Sequence, residues 1–322
     1  MSQLAPPARA VDLSGDPRRL RKERLIRAAF FTSAVVSIII SVLIVGSLLG
    51  RAVRFLQLVD LAGLTSEGWF PRRDLYDLRT IVSGTLLIAG IGMLVATPLG
   101  LGAATYLSEY ASPRARSVLK PILEILAGIP SVVLGFFALT WISPHIMAAL
   151  CTDSSTFNMG AAGIAVGVLI TPLVASISED AMRSVPQALR EGSYGLGARK
   201  RSVTTRVVIP AAVSGIVAAL IVALSRAIGE TMIVAIASGS TGGSLFSLDP
   251  CGPGQTMTAA MTALAVGSDQ VRGADAAFPS LFFVGLLLFA ITLLLNVVSE
   301  KMAVHERVTQ LPTIRPVARA AA

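Results

Sequence analysis

The chain has 322 residues, of which 53% are hydrophobic and 14% charged, with a formal net charge of +8 and a mean hydropathy of +0.73. This composition excludes a soluble domain of ordinary make-up and indicates an integral membrane protein. The positive charge does not indicate nucleic-acid binding, because the basic residues are not interleaved with aromatic ones.

Long uncharged windows predict the membrane spans. A helix that crosses a bilayer needs roughly 17–25 predominantly apolar residues. Six windows approach or exceed that length, at 28–50, 80–108, 125–150, 154–178, 207–225 with a continuation past a charged pair, and 276–299. We therefore predict an all-α membrane protein with about six transmembrane helices and no large soluble domain.

The distribution of Lys and Arg predicts the orientation. With the N-terminus inside, the inside segments hold 7, 3, 6 and 4 basic residues and the outside segments hold 5, 0 and 1. This bias satisfies the positive-inside rule with both termini cytoplasmic, and it favours contact with lipid headgroups. The predicted organisation is a basic, disordered or surface-lying tail (1–27), a transmembrane domain (28–300) with a cytoplasmic loop at 179–210, and a second cytoplasmic tail (301–322).

The connection at 51–79 is predicted to lie outside. Its Trp69 and Phe70 suit a membrane-interface position, and Pro71 is expected to end any helix there. Two cysteines, Cys151 and Cys251, also fall in outside segments. They are either unrelated small residues or a disulfide formed in an oxidising compartment.

The third span contains a break. Gly128 and Pro130 interrupt the helix, with Ser131 next to them. Broken helices survive in a membrane where they pack on protein or line a water-filled cavity. The break is therefore either an ordinary proline kink or a point where Ser131 and the backbone near Pro130 line a substrate path.

The loop at 179–210 is neither flexible nor fully polar. Leu189, Tyr194, Leu196 and Ala198 are able to form an apolar stripe on a short helix, and Gly197 suits a sharp turn after it. A short amphipathic helix between two spans lies on the membrane or docks into a groove on a partner.

The fifth span carries Arg226 and Glu230 inside an apolar run. Each lone charge at mid-membrane depth costs roughly 2.5–3.5 kcal/mol. Four residues apart on one helix, the two side chains are expected to face each other and pair. Three interpretations remain: a pair that only fixes helix packing, a pair that faces a polar path, or an arginine that snorkels to the interface.

Two further segments complete the chain. Residues 255–267 are apolar but too short to span, which predicts a re-entrant or surface helix. The sequence has no G-x-x-x-x-G-K-[ST] loop, so it is not expected to bind ATP phosphates. It has no metal-ligand spacing and no hydrolase motif, so we predict a non-catalytic chain without metal or cofactor.

The cytoplasmic loop resembles the EAA loop of ABC-importer permeases, whose pattern is E-A-A-x3-G-x9-I-x-L-P. The matching residues are Glu191-Gly192-Ser193, Gly197 and the stretch that ends at Pro210. Gly192 and Ser193 replace the two alanines and remain small. The resemblance implies the type I importer permease fold and docking to an ATPase through residues 191–198, chiefly Glu191, Gly192, Ser193, Leu196, Gly197 and Ala198.

The stretches at 126–135 and 225–232 are similar to the phosphate-specific (Pst) permease subunits, of the PstC type. This resemblance covers about 65–300. It implies that Arg226 and Glu230 act in transport, and Thr231 lies beside them on the predicted substrate path. From their chemistry we expect Arg226 to bind the phosphate oxyanion, and Glu230 to hold Arg226 and temper that attraction so that the anion leaves.

The resemblance also implies an assembly in the bacterial inner membrane. Its other members are a second permease subunit of the PstA type, two ATPase subunits of the PstB type that hold ATP and Mg, and an extracytoplasmic phosphate-binding protein. Two alternatives remain open: a permease for another oxyanion such as sulfate or molybdate, and a membrane sensor or scaffold that transports nothing.

Overall fold

The computed structural model describes residues 17–65, 67–239, 243–266 and 275–309. Helices dominate this part of the chain. In order they are α1 (Pro17–Leu58), α2 (Leu78–Thr105), α3 (Pro113–Ala127), α4 (Ser131–Phe137), α5 (Ala148–Leu150), α6 (Met159–Ser184), α7 (Gln187–Gly195), α8 (Lys200–Val203), α9 (Ile209–Ala211), α10 (Val213–Ile228), α11 (Met232–Ala237), α12 (Met257–Val266) and α13 (Ala277–Thr309). Three π-helical stretches continue these helices, at Tyr106–Tyr110, Ala138–Met147 and Thr204–Val208.

The predicted number of spans is confirmed. Five helical segments among the described residues are long and apolar enough to cross a membrane, at Arg21–Leu58, Leu78–Tyr110, Ser131–Leu150, Met159–Ser184 and Ala277–Met302. A sixth forms if Lys200–Ala211 and Val213–Ile228, bent by 68°, make one span. The fifth span of the sequence prediction is therefore bent rather than straight.

The chain divides into two units, residues 1–50 and 51–322. In the first, α1 begins at Pro17, so residues 17–27 of the predicted tail are helical. Arg, Lys, Leu and Glu are good helix formers, and they extend the apolar helix towards the N-terminus. Residues 1–16 lie outside the described part. Large apolar side chains such as Phe30 and Phe31 are exposed on this unit, as expected of a helix in lipid.

In the second unit, α2 packs along α6 through glycines. A Cβ built at Gly163 lies 2.7 Å from Ile91 Cβ, and one at Gly167 lies 2.8 Å from the carbonyl oxygen of Gly92. Such distances leave no room for a side chain, so the two backbones approach closely, as small residues allow in membranes. The buried face of α6 contributes to the largest apolar core, with Ala162, Val166 and other side chains that are fully enclosed.

The helix α6 also runs further than the sequence predicts. It continues to Ser184, so the first residues of the predicted loop at 179–210 are helical. Pro186 follows, and the chain re-enters a helix at Gln187. The residue before a proline disfavours the helical region, which explains why α6 stops there rather than after its apolar run. At the other end of the chain, α13 extends to Thr309, into the segment predicted as a tail from 301, and residues 310–322 lie outside the described part.

Trp69 and Phe70 form one strand of a small hairpin. Trp69 pairs with Tyr76 in an antiparallel ladder, and its backbone also exchanges hydrogen bonds with Ser244. The Trp69 side chain is fully buried and packs edge-on against Tyr76, 5.7 Å between ring centroids. Burial, followed by the charge of Asp74 and a hydrogen bond to it, raises the pKa of the Tyr76 hydroxyl.

The connection between the last two spans is anchored to the rest of this unit. Cys151 and Cys251 form a disulfide with a Cα–Cα distance of 6.0 Å. Next to it, the backbone N–H of Gly160 donates to the carbonyl of Pro250 at 2.8 Å. The helix α12 follows, and its Met257, Ala260 and Leu264 are buried against α2, α11 and α13. Most of this apolar segment is therefore packed against other helices, while Ala265 and Val266 at its end are exposed.

Candidate functional site

The fifth span breaks at the charged pair. The helix α10 ends at Ile228, where Gly229 caps it, and α11 begins at Met232. Gly229 donates its backbone N–H to the carbonyl of Ser225 at 3.2 Å. A break inside a membrane span frees backbone groups that lipid cannot satisfy, so protein groups must take their place.

Glu230 supplies such a group. Its side chain is buried, and Oε1 accepts the backbone N–H of Met232 at 3.2 Å, with the nitrogen of Ile233 at 3.5 Å. Its own carbonyl oxygen accepts the Thr258 hydroxyl at 2.7 Å. The carboxylate thus caps α11, and the expected ion pair with Arg226 is not formed. The expectation assumed a continuous helix, and the break at Gly229 turns the two side chains apart.

Arg226 instead faces a cavity. It is exposed in this chain and, within the described residues, makes no ion pair. The cavity has a volume of 430 Å³ and is hereafter the Arg226 pocket. Its charged and polar lining consists of Lys120, Glu124, Ser176, Glu179 and Arg226, and its apolar wall comes mainly from α6. Two cations and two carboxylates therefore share one site.

The sequence prediction missed a charge cluster at the end of α6. Glu179 is fully buried and pairs with Arg116, and its Oε2 lies 3.4 Å from Lys120 Nζ. Arg183 Nη1 lies 3.9 Å from Oε1, and Asp180 lies 3.3 Å from the same Lys120 amine. The adjacent acidic residues Glu179 and Asp180 are visible in the sequence and could have indicated this cluster. Their partners on α3 come close only in the folded structure.

The charges of this cluster shift the pKa of Lys120. It lies on α3, outside the candidate spans. Burial opposes its charged form, but the hydrogen bond to Asp180 and the charges of Glu179 and Asp180 outweigh that effect, so the pKa of Lys120 is raised above its ordinary 10.5. The lysine is therefore a permanent cation at any physiological pH, like Arg226.

The remaining predicted path residues lie elsewhere. Thr231 lines a separate pocket of 280 Å³ with the hydroxyls of Thr258 and Thr262. Pro130 and Ser131 open α4 after the break that ends α3 at Ala127. Ser131 is half-buried and does not line the Arg226 pocket, which Ala127 does. The third-span break therefore borders this pocket without contributing Ser131 to it.

The segment that resembles the EAA loop forms the short helix α7. Leu189 and Tyr194 are about half exposed, and Leu196, just after the helix, is 92% exposed. Glu191 and Gly192 are exposed, and Ser193 Oγ donates to the carbonyl of Leu189. Uncovered apolar side chains next to an acidic one are typical of a docking surface rather than of a free helix.

A turn ends α7 and leads into the fifth span. Gly197 has φ +78°, a left-handed conformation that glycine adopts without strain. The N–H of Ala198 donates to the carbonyl of Ser193 at 3.1 Å, which satisfies an end of the helix. Pro210 lies exposed in α9, immediately before the 68° bend.

Arg190 ties α7 to the rest of the chain. It is the buried residue of this helix and donates to the carbonyls of Val185 at 2.6 Å and Met182 at 2.8 Å, both at the end of α6. It also pairs with Glu109, at 3.0 Å, just after α2. A displacement of α7 would therefore reach α6, and α6 forms a wall of the Arg226 pocket.

Comparison with known proteins adds to this geometry. A family described as "Binding-protein-dependent transport system inner membrane component" matches residues 96–304. The phosphate transport system permease protein PstC of Mesorhizobium japonicum is 30% identical over 311 residues, which are 88% of this chain and 91% of that protein. The probable ABC transporter permease protein YqgH of Bacillus subtilis is 37% identical over 180 residues, 55% of this chain and 58% of that protein.

A solved structure shares the fold. It belongs to a bacterial ABC transporter involved in the import of the acidic polysaccharide alginate. The TM-score is 0.59 at 17% identity, over 89% of this chain and 99% of that chain. At this identity the likeness establishes the importer permease fold and nothing about the substrate.

Proposed function

The chain belongs to the family of inner-membrane components of binding-protein-dependent transport systems, and from that premise we propose that it is the PstC-type permease subunit of a phosphate importer. As a multi-pass protein of the bacterial inner membrane it works in an ABC importer with other subunits. The observation that carries the proposal is Arg226, a permanent cation that lines a pocket at a broken transmembrane helix without being tied to a carboxylate among the described residues.

Arg226 suits a phosphate oxyanion. Its planar guanidinium presents parallel N–H donors that match two oxygens of a phosphate, and it stays charged at any relevant pH. A site that binds an anion too tightly does not conduct it. The Arg226 pocket balances its two cations with Glu124 and Glu179, so these two carboxylates temper the attraction. Glu230, which the sequence predicts in that role, caps α11 instead.

Coupling to ATP hydrolysis runs through α7. Leu189, Tyr194 and Leu196 offer apolar surface to an ATPase subunit on the cytoplasmic side. Arg190 carries a displacement of α7 to the end of α6 through its hydrogen bonds to Met182 and Val185. Because α6 forms a wall of the Arg226 pocket, the pocket would open alternately to each side as the ATPases close and separate.

The proposed assembly contains three further kinds of subunit. A PstA-type permease completes the path beside Arg226, a pair of PstB-type ATPases binds ATP and Mg, and an extracytoplasmic protein delivers phosphate to the outer connections. This chain itself catalyses no reaction and holds no cofactor. Both termini and α7 face the cytoplasm, in agreement with the distribution of Lys and Arg.

Uptake of radiolabelled phosphate in phosphate-starved cells tests the substrate. We expect Arg226→Gln to abolish high-affinity uptake while the complex still assembles, and Arg114→Gln, which removes an exposed arginine from α3, to retain it. Unlabelled sulfate and molybdate should not compete. Competition by either would assign the chain to another oxyanion, and full uptake by an assembled Arg226→Gln complex would contradict the role of Arg226. Assembly without uptake of any oxyanion in the wild type would indicate a sensor or scaffold.

Co-purification with the ATPase tests the docking surface. Leu196→Asp places a charge on the most exposed apolar residue of the segment, so we expect the ATPase to be lost from the complex. Leu196→Met preserves an apolar side chain of similar volume and should retain the ATPase. Equal retention in both variants would contradict docking at this position.

A further inference from the structure

A second pocket lies beside the Arg226 pocket. It has a volume of 600 Å³ and is hereafter the basic pocket. Its charged lining is Arg116, Lys120, Arg183 and Glu124, so three cations face one carboxylate. The hydroxyls of Ser108 and Ser117 complete its polar lining. Counted over the lining alone, this pocket has two more cations than carboxylates, whereas the Arg226 pocket has equal numbers; Glu179 and Asp180, which pair with these cations, do not line it.

The two pockets adjoin. Lys120 and Glu124 line both of them, so one cation and one carboxylate are common to the two pockets. The Lys120 amine can turn towards either side, because it is one-third exposed and its stem is flexible. Lys120 is therefore within reach of an anion in either pocket.

Glu179 holds the cations of the basic pocket in place. It is fully buried, whereas Arg116, Lys120 and Arg183 are 23%, 31% and 48% exposed. Its carboxylate uses only part of their hydrogen-bonding capacity, because each arginine carries five N–H donors and a lysine three. Because the three groups are partly exposed and line the basic pocket, an anion there has access to them.

We propose that the basic pocket is a second oxyanion site, in which phosphate released by Arg226 binds to Lys120, Arg116 and Arg183 while Glu179 serves as their internal counter-ion. This inference rests on the proposed function and adds to it a second binding site, which the anion occupies after its release from Arg226. Glu179 keeps the three cations assembled when the site is empty. It also limits the affinity for phosphate, since it competes for the same donors, and a weakly held anion leaves quickly.

Protection of an engineered thiol tests the site directly. Both natural cysteines are joined in the disulfide, so Ser117→Cys gives this chain one free thiol, inside the basic pocket. In the purified complex, we expect inorganic phosphate to slow modification of that thiol several-fold relative to chloride at equal ionic strength. Val118→Cys, the next residue, is exposed and lines neither pocket, so its rate should not change.

Charge variants identify the groups that bind. Adding Lys120→Gln to Ser117→Cys should raise the phosphate concentration needed for protection about tenfold, since a charged hydrogen bond is lost. Glu179→Gln should lower that concentration and slow uptake, a combination that mere loss of structure does not produce. Protection that is absent, or that is unchanged by Lys120→Gln, would overturn the proposal even if Glu179→Gln fails to fold.

The two hypotheses fail differently. Phosphate uptake by the wild-type complex reports on the importer function. Uptake without protection would overturn the second site and leave the importer standing. If phosphate protects the thiol but no wild-type preparation takes up phosphate, the phosphate importer is overturned. The basic pocket would then remain an oxyanion site in a permease for another substrate.

Discussion

The carboxylate of Glu230 accepts the backbone N–H of Met232 at 3.2 Å, and this hydrogen bond marks the start of α11. The first N–H groups of a helix have no partner within it, and inside a membrane water is not there to supply one. The acidic side chain in the middle of the span therefore has a structural reason to be there, independent of any contact with the transported anion.

This relationship predicts different outcomes for two substitutions of Glu230. Glu230→Gln keeps an acceptor oxygen for the N–H of Met232, whereas Glu230→Leu removes it, at a cost of about 0.5–2 kcal/mol for a lost cap. We expect Leu to lower the midpoint of thermal unfolding of the purified complex clearly and Gln to lower it less. Glu67→Leu, at an exposed position, is the control. An equal loss of stability in Gln and Leu would show that the charge, and not the cap, is what matters.

Substitution of Arg190 should also destabilise the protein, because it removes one partner of a buried ion pair. The side chains of Arg190 and Glu109 are 11% and 5% exposed, so Arg190→Gln leaves a buried carboxylate without its partner. Breaking a buried pair in this way costs about 3–5 kcal/mol. We expect ATP hydrolysis by the assembled complex to continue while phosphate uptake falls, because α7 is no longer fastened to α6.

The control for Arg190 is Arg199→Gln. Arg199 precedes α8 and is exposed, so its loss removes the same charge from the same connection without leaving a buried group unpaired. Uptake and ATPase activity should stay coupled in this variant. If Arg190→Gln behaved in the same way, the path from α7 to α6 would not depend on this arginine.

The sequence predicted the architecture well because hydrophobic windows depend on local composition. The number of spans, the short helix after the fourth span and the turn at Gly197 all followed from such local signals. The ends of the helices did not follow from local signals. Hydropathy stops at the first charge, whereas α6 continues through Glu179 because the fold supplies Arg116 and Lys120 to neutralise it.

The site was predicted in its residue types but not in its geometry. The four-residue spacing of Arg226 and Glu230 indicates an ion pair only if the helix is continuous, and Gly229 ends it. The partners of the Arg226 pocket come from α3 and α6, which lie more than 40 positions away in the sequence, at Lys120 and Glu179. Spacing along one element carries no information about such neighbours.

The disulfide predicts a sensitivity to reduction. Cys151 and Cys251 are 100 positions apart, and reduction of a native disulfide costs about 2–5 kcal/mol in small secreted domains. We expect a clear fall in the unfolding temperature of the purified complex after treatment with a thiol reductant. The doubly substituted Cys151→Ser, Cys251→Ser variant should start at the lower temperature and not respond further. A response in that variant equal to the wild type's would place the effect in another subunit.

The close packing of α2 against α6 predicts opposite effects for one substitution at two glycines. Gly167→Ala places a methyl group 2.8 Å from the carbonyl oxygen of Gly92 and 2.7 Å from Val95 Cβ, so the helices must separate, at a cost of about 1–3 kcal/mol. Gly102→Ala meets nothing within 4 Å and gains up to about 1 kcal/mol from helix propensity. Thermal unfolding of the two purified variants should therefore shift in opposite directions. A Gly167→Ala variant with unchanged stability would mean that the backbones of α2 and α6 are further apart than in the structure. The wall that α6 forms in the Arg226 pocket would then also be displaced.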